Sequence, residues 1–340
     1  MAHTTEVTGR EPSPARSEPP LLRQRALLAV LVLMIAYAVA SLFMDPHGYL
    51  GTDTGAKVAT IDHMVSTGTW HPELPYWAEA QDPQGRVHPI YGIDKVDGRF
   101  VHVTTLPMLL AAVPLYALGG YRLTLLLPML GAVGVALAAR SLARRMAGDA
   151  IGWQAFWVVG LASPIAIYAL DLWEHAVGAA CILGAVALLA GVVEGEPLGR
   201  RAVGAGLLLG TAATMRTEAF VYAVAAVGAA ALFLLVAGQV RRSLSAGALA
   251  VVGFGPPWLA NRALEAALGG NSRTGRVAGA ASGGLSAVPD RAREAVITLL
   301  AARPDTLGTI VLVGGGLTAL VVGVVVAARS EERRVGKECL

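Results

Sequence analysis

Charge is scarce in this chain, and so are cysteines and aromatic rings. Charged residues make up 15% of its 340 residues and aromatic residues 6%, and there are two cysteines, Cys181 within an apolar run and Cys339 near the end. Cysteines so placed exclude a disulfide framework and a thiolate metal centre. So little charge excludes an ordinary soluble domain, whose surface needs more. The histidines show no H-E-x-x-H spacing, so a histidine metal site is not expected.

What is present in quantity is apolar: 55% of the residues are hydrophobic and the mean hydropathy is +0.58. A chain of this kind is a multi-pass membrane protein, and its length divides into crossings of roughly 20 residues each. The net charge of +3 says little about nucleic acid, and no such partner is expected. Its basic residues flank apolar runs, where they set topology.

Residues 1–25 are rich in Pro, Ser, Thr and charge, with Arg10, Arg16, Arg23 and Arg25 ahead of the first apolar run. They read as a disordered cytoplasmic tail. Residues 26–44 are long enough to span, although Ala38-Val39-Ala40 would also suit signal-peptidase cleavage. A polar loop follows at 45–104, opening with Gly51-Thr52-Asp53-Thr54-Gly55-Ala56-Lys57. Within it, 54–66 has helical periodicity, with Val58, Ile61, Met64 and Val65 on one face and Lys57, Asp62 and His63 elsewhere. Such a helix would lie along the membrane surface. Trp70, Tyr76 and Trp77 suit the headgroup region, and 82–99 has the Gly, Asp and Pro content of turns.

Further apolar pieces lie at 106–118, 122–139, 151–170, 176–193, 203–215, 220–238, 244–260 and 306–328. Arg140, Arg144 and Arg145, then Arg200 and Arg201, then Arg241 and Arg242, follow or separate these pieces. The positive-inside rule puts all three clusters in the cytoplasm. That requires a single crossing between the 45–104 loop and Arg140. The piece at 106–118 is short and holds Pro107 and Pro114, so it is the one expected to be re-entrant or superficial. The fold class is thus an all-α polytopic helix bundle, 26–328, of about eight crossings with both termini inside. If 106–118 did cross, three arginines would lie outside.

This topology gathers the polar groups on one outer face. There lie the Asp53 loop, Tyr121-Arg122, the tip from Asp171 through Trp173, Glu174 and His175, the Arg216-Thr217-Glu218 turn, and a second outer loop at 261–305. His47, His63, His71, His88, His102 and His175 fall there too. Ionisable groups at membrane depth are costly and mark sites more often than decoration.

These residues resemble the multi-spanning glycosyltransferases of the GT-C type, in particular polyprenyl-phosphate-mannose-dependent mannosyltransferases and aminoarabinose transferases. The similarity rests on an acidic residue opening the first outer loop (Asp53) and on Met64, Gly68, Trp70 and Pro72 at the end of the short helix. It continues with Gly119-Gly120-Tyr121-Arg122, the acidic-aromatic tip at Asp171 to His175, Arg216 with Glu218, and Asn261-Arg262 after Pro256-Pro257. Together these motifs cover about residues 26–280. Two departures stand out: Asp53 is flanked by Thr52 and Thr54 where many members carry adjacent acids, and the usual Lys-Pro-Pro is replaced by Val103-Thr104-Thr105-Leu106-Pro107.

The resemblance implies an inverting sugar transfer at the outer face of a bacterial plasma membrane, from a polyprenyl-phosphate donor to a glycan, lipid or protein acceptor. Asp53 would be the base, and Arg216 would bind the carrier phosphate, for which a guanidinium offers paired donors. Lys57 as a further phosphate contact, with Glu174, His175 and Glu218 as sugar, acceptor or divalent-cation ligands, completes the implied site; a divalent cation is the one cofactor it suggests. Each residue also has a plainer reading. Asp53 can cap the surface helix, Lys57 can pair with Asp53 one turn away, and Arg216 with Glu218 can form an ordinary ion pair. Asp171, Glu174 and His175 can mark a solvated turn, and Trp70, Trp77 and Trp173 can anchor at the interface. A transporter or flippase for a lipid-linked solute is the rival function, although no second copy of any segment is evident. A noncatalytic assembly subunit is a third. Residues 329–340 resemble translated sequencing adaptor at the end of a truncated reading frame, the alternative being a basic cytoplasmic tail.

Overall fold

The apolar runs form helices for the reason their composition gives: in a bilayer, backbone N–H and C=O groups must be satisfied within the segment. The computed structural model describes residues 20–45, 53–90, 92–103 and 105–269. The expected second outer loop beyond 269, the span at 306–328, the tail at 329–340, His47 and residues 1–19 of the expected tail lie outside the described residues. Among the described residues the chain is mostly helical, and six helices are long and apolar enough to cross a membrane.

The first, α1 (Pro20–Ser41), starts earlier than expected, so Arg23 and Arg25 belong to the helix and not to a tail. After α2 (Asp53–Thr67) comes an element that the all-α expectation missed, a hairpin of β1 (Ile93–Val96) and β2 (Arg99–His102) in antiparallel register, Ile93 opposite His102. Asp97 and Gly98 turn it, both at positive φ (50° and 81°), as a two-residue hairpin loop requires. Phe100 packs with Tyr76 and Ala78 in a small core of its own.

Helix α3 (Leu106–Thr124) is broken at Gly119 and Gly120, Gly120 lying at φ 64°. Its unbroken part, 106–118, rises about 20 Å, short of a hydrocarbon core of roughly 30 Å. Then α4 (Leu126–Ala147) and α5 (Asp149–Leu161) pack antiparallel. The single span expected at 151–170 is interrupted, because Pro164 has no N–H and disfavours helix at the preceding residue. Ser163 accepts the Ile165 amide at 3.2 Å and starts the short α6 (Pro164–Tyr168). Long helices α7 (His175–Val193), α8 (Leu198–Met215), α9 (Ala219–Val236) and α10 (Val240–Leu268) follow.

The bundle has two ionic poles. At one, Arg140 pairs with Asp149 (2.9 Å), Arg145 with Glu194 and Glu196, and Arg201 with Glu196. Arg242 joins them by donating to the carbonyls of Val192 (3.0 Å) and Glu196 (2.5 Å). At the other pole lie α2, the hairpin, and the starts of α4, α7 and α9. Helix α4 begins there because Gly131 lets it press on the first turn of α7: a Cβ at Gly131 would come within 2.6 Å of the Val177 nitrogen. Helix α10, 29 residues and about 43 Å long, reaches the same pole, where His71 Nδ1 donates to the Leu268 carbonyl at 3.0 Å.

Candidate functional site at the loop pole

Helix α2 brings the first residues. Its buried stripe is Thr54, Lys57, Ile61 and Met64, so Lys57 shares the face of Ile61 and Met64, where it was expected to lie off it. The physical reason is Glu174. Lys57 Nζ lies 2.6 Å from Glu174 Oε2, both side chains are 1% exposed, and the same ammonium donates to the Leu172 carbonyl at 3.2 Å. A lysine can be buried only if its charge is paired and its protons are used. The plainer expectation of a surface pair between Lys57 and Asp53 is therefore corrected. Next to it, Thr54 Oγ1 donates to Asp171 Oδ1 at 2.5 Å, tying the start of α2 to the tip before α7. The tip is a docked contact, not a free solvated turn.

Glu174 reaches further. Its other oxygen, Oε1, is 3.9 Å from Arg216 Nη1, at the end of α8. Arg216 pairs through Nε with Glu218, and its Nη1 lies 2.5 Å from His175 Nε2. A guanidinium only donates, so the imidazole nitrogen it addresses must carry a lone pair. The ring of His175 stacks on Tyr168 (centroids 4.8 Å, 18°) and tilts against Trp173 (4.9 Å). Burial pushes the Glu218 carboxyl up, but its own amide and the Arg216 hydrogen bond and charge outweigh this and hold it below its usual value. Glu218 is thus an anion at ordinary pH.

Asp53 stands at the near end of this line. It is the acidic residue in the first turn of α2, one turn before Lys57, where a carboxylate suits the helix dipole. Its side chain is 44% exposed, and Oδ1 faces Nε2 of the buried His102 at 3.6 Å. The structure therefore brings Lys57, Glu174, His175, Arg216 and Glu218 into one contiguous network, with Asp53 on its edge. Among the described residues no three His, Cys, Asp or Glu side chains gather as metal ligands. Trp70 and Trp77 stay exposed, whereas Trp173 is packed into the site.

Beneath the network the α8–α10 face is apolar. A groove of about 380 Å³ is lined by Leu209, Phe220, Ala223, Val227, Ala250 and Phe254, among others. It begins two residues past Glu218, at Phe220.

Sequence reasoning named the outer-face histidines but gave His102 no role, and it missed Tyr168. The signal for His102 was available: an Asp-Gly turn within 93–102 predicts a hairpin, whose register then places residue 102. Nothing in the spacing predicted Tyr168 against His175, because Pro164 reorients that segment.

These features define a multi-pass membrane protein with an ionisable cluster at one pole. Compared with protein-family models, curated proteins and solved structures, the chain finds no match.

Proposed function

We propose that this chain is a membrane glycosyltransferase that moves a sugar from a polyprenyl-phosphate donor to an acceptor at the outer face. The observation that carries the reading is that α2, which opens with Asp53, is joined through Lys57 and Glu174 to Arg216 and Glu218, next to an apolar groove of α8, α9 and α10 whose lining starts at Phe220, two residues past Glu218. A lipid-phosphate sugar has the matching halves: an apolar chain for the groove, and a phosphate for Arg216.

In this reading Asp53 takes the proton of an acceptor hydroxyl as its oxygen attacks the anomeric carbon. The carbon–oxygen bond to phosphate breaks, and polyprenyl phosphate leaves with the electron pair, its charge met by Arg216. In-line attack inverts the anomeric centre. Lys57 and Glu174, buried against each other, hold α2 and α7 in place and so keep Asp53 and Arg216 in register. The sites implied earlier for Lys57 and Glu174 as direct donor ligands give way here to this positioning role. Glu218 and His175 fix the guanidinium.

The topology proposed with it has eight crossings, counting 306–328, with the arginine pole cytoplasmic and the loop pole outside. Helix α3 enters and leaves on the outside; its break at Gly119 and Gly120 and its short unbroken length support this. The test is transfer of radiolabel from polyprenyl-phosphate sugars in membranes holding the full chain. Wild type is expected to transfer, and Asp53→Asn to lose at least ~100-fold at normal abundance. Transfer unaffected by that change would remove Asp53 as base. Movement of the labelled lipid across the bilayer without transfer would favour the flippase reading.

A further inference from the structure

His102 holds the clue to how a single carboxylate is kept in place. We infer that His102 is the positioning residue of Asp53, its imidazole fixing the carboxylate rotamer that faces the acceptor; this rests on Asp53 being the base.

The hairpin makes His102 a rigid support. It sits opposite Ile93 in the ladder, the next residue, Val103, donates its amide to the Gly92 carbonyl at 2.8 Å, and Leu74 donates to the Phe100 carbonyl at 2.8 Å. Phe100, on the same face of β2, is locked against Tyr76 with centroids 5.4 Å apart. The His102 side chain is 3% exposed and cannot turn to water, whereas Asp53 is 44% exposed and can be reached by an acceptor. One partner is therefore fixed by packing and the other is accessible, the asymmetry a positioned base requires.

An ionised carboxylate only accepts, so the Nε2 that faces Oδ1 must carry the proton. At 3.6 Å the pair is longer than a hydrogen bond, and contacts of this kind tighten when substrate fills a site. Lys57, one turn on and the natural i,i+4 partner, is committed to Glu174 at 2.6 Å. The buried salt bridge thus takes the i,i+4 lysine out of reach of Asp53, whose carboxylate faces His102. Thr54, the next residue, gives its one hydroxyl proton to Asp171.

The experiment uses the full chain in membranes. Substitution His102→Leu is expected to lower kcat about 10- to 100-fold with the KM for donor held within about twofold, the cost of misplacing a reacting group. His102→Gln, which keeps an N–H donor near Nε2, is expected to recover to within about fivefold of wild type. The double variant Asp53→Asn with His102→Leu should be no slower than Asp53→Asn alone, because His102 acts through Asp53. Additive losses, or a glutamine no better than leucine, overturn the inference. Membrane abundance and exchange of the Leu74 amide report whether the hairpin stays folded. If leucine loosens it, His102→Asn, whose amide is too short to reach Asp53, takes its place with the same expectation.

A second readout needs no sugar transfer. Labelling of Asp53 by a water-soluble carbodiimide, located by mass spectrometry, should rise in His102→Leu and not in His102→Gln. Unchanged labelling overturns the contact whether or not the protein transfers sugar. Absence of transfer in wild type, with labelling that changes as expected, removes the glycosyltransfer reading and leaves the contact standing.

Discussion

At the scale of single residues, the Lys57–Glu174 pair is the most consequential contact in the described chain. Removing one partner leaves a buried charge uncompensated, which costs about 3–5 kcal/mol, whereas replacing both with apolar residues of similar size is often close to neutral. Lys57→Met or Glu174→Leu alone should therefore lower thermal stability in detergent sharply, and the double variant should recover most of it. Sugar transfer should not recover in the double variant, since Glu174 also faces Arg216 at 3.9 Å. This pair was not legible in the sequence. Periodicity put Lys57 off the apolar face, because nothing local tells a lysine that a carboxylate from α7 will meet it. Arg216 and Glu218 were legible, being two residues apart on the same turn.

Acid should act on the outer loop by a separate residue-level route. The Asp82 carboxyl is held below its ordinary 3.8, first by the Val87 amide, with the Arg86 amide, the Tyr76 hydroxyl and the Arg86 charge adding and burial opposing. A group lowered on folding contributes stability that is present above its unfolded value and lost as pH falls through the folded one. His88, beside Tyr76 at 4.5 Å, is also lowered from its ordinary 6.5, by burial. The unfolded loop therefore takes up that proton first, and stability starts to fall below about pH 6.5. Exchange of the Leu74 amide, corrected for its intrinsic rate, should accelerate in two steps, one below about pH 6.5 and one below about pH 4. Asp82→Asn should abolish the lower step.

At the scale of elements, glycine sets how closely helices approach. A Cβ at Gly206 or Gly210 would collide with the Ala250 or Phe254 carbonyl of α10, and one at Gly253 with the Val203 carbonyl of α8. Such close backbones are how helices associate in a bilayer, where burial from water supplies no drive. Gly131 does the same between α4 and α7, where a Cβ would come within 2.7 Å of the Ala176 carbonyl carbon, and here the consequence reaches the site. Gly131→Val must push the start of α7 away, carrying Glu174 and His175 with it. It should reduce transfer by at least ~10-fold while touching no site residue, as small misplacements do. Transfer at the wild-type rate would mean that the start of α7 does not set the site. The helices themselves were largely legible, because each apolar run is long and ends at polar residues. The hairpin was not recognised, although Asp97-Gly98 announced it, and the break at Ser163 was missed although Pro164 marks it.

At the scale of the whole molecule the course of α3 decides which groups share the face of Asp53, and Arg122 reports it. If α3 crosses, Arg122 lies with the cytoplasm; if α3 enters and leaves on one side, Arg122 shares the face of Asp53. Single cysteines report this, after Cys181 and Cys339 have been replaced by serine. Trp77 is 88% exposed on the loop pole and Met146 is 87% exposed at the arginine pole, so they serve as the two references. Trp77→Cys should react with a membrane-impermeant maleimide on intact cells, and Met146→Cys only after permeabilisation. Arg122 is also exposed, and Arg122→Cys is expected to behave like Trp77→Cys. Its protection until permeabilisation, with Trp77→Cys and now Met146→Cys both reacting on intact cells, would make α3 a crossing helix. The chain between Arg122 and Arg145 would then begin in the cytoplasm, and the two-pole arrangement of α4, α5 and α7 would have to be turned over relative to the loop. That outcome would put Asp53 on one side of the membrane and Arg216 and Glu218 on the other, against the contact of Lys57 with Glu174 that joins them.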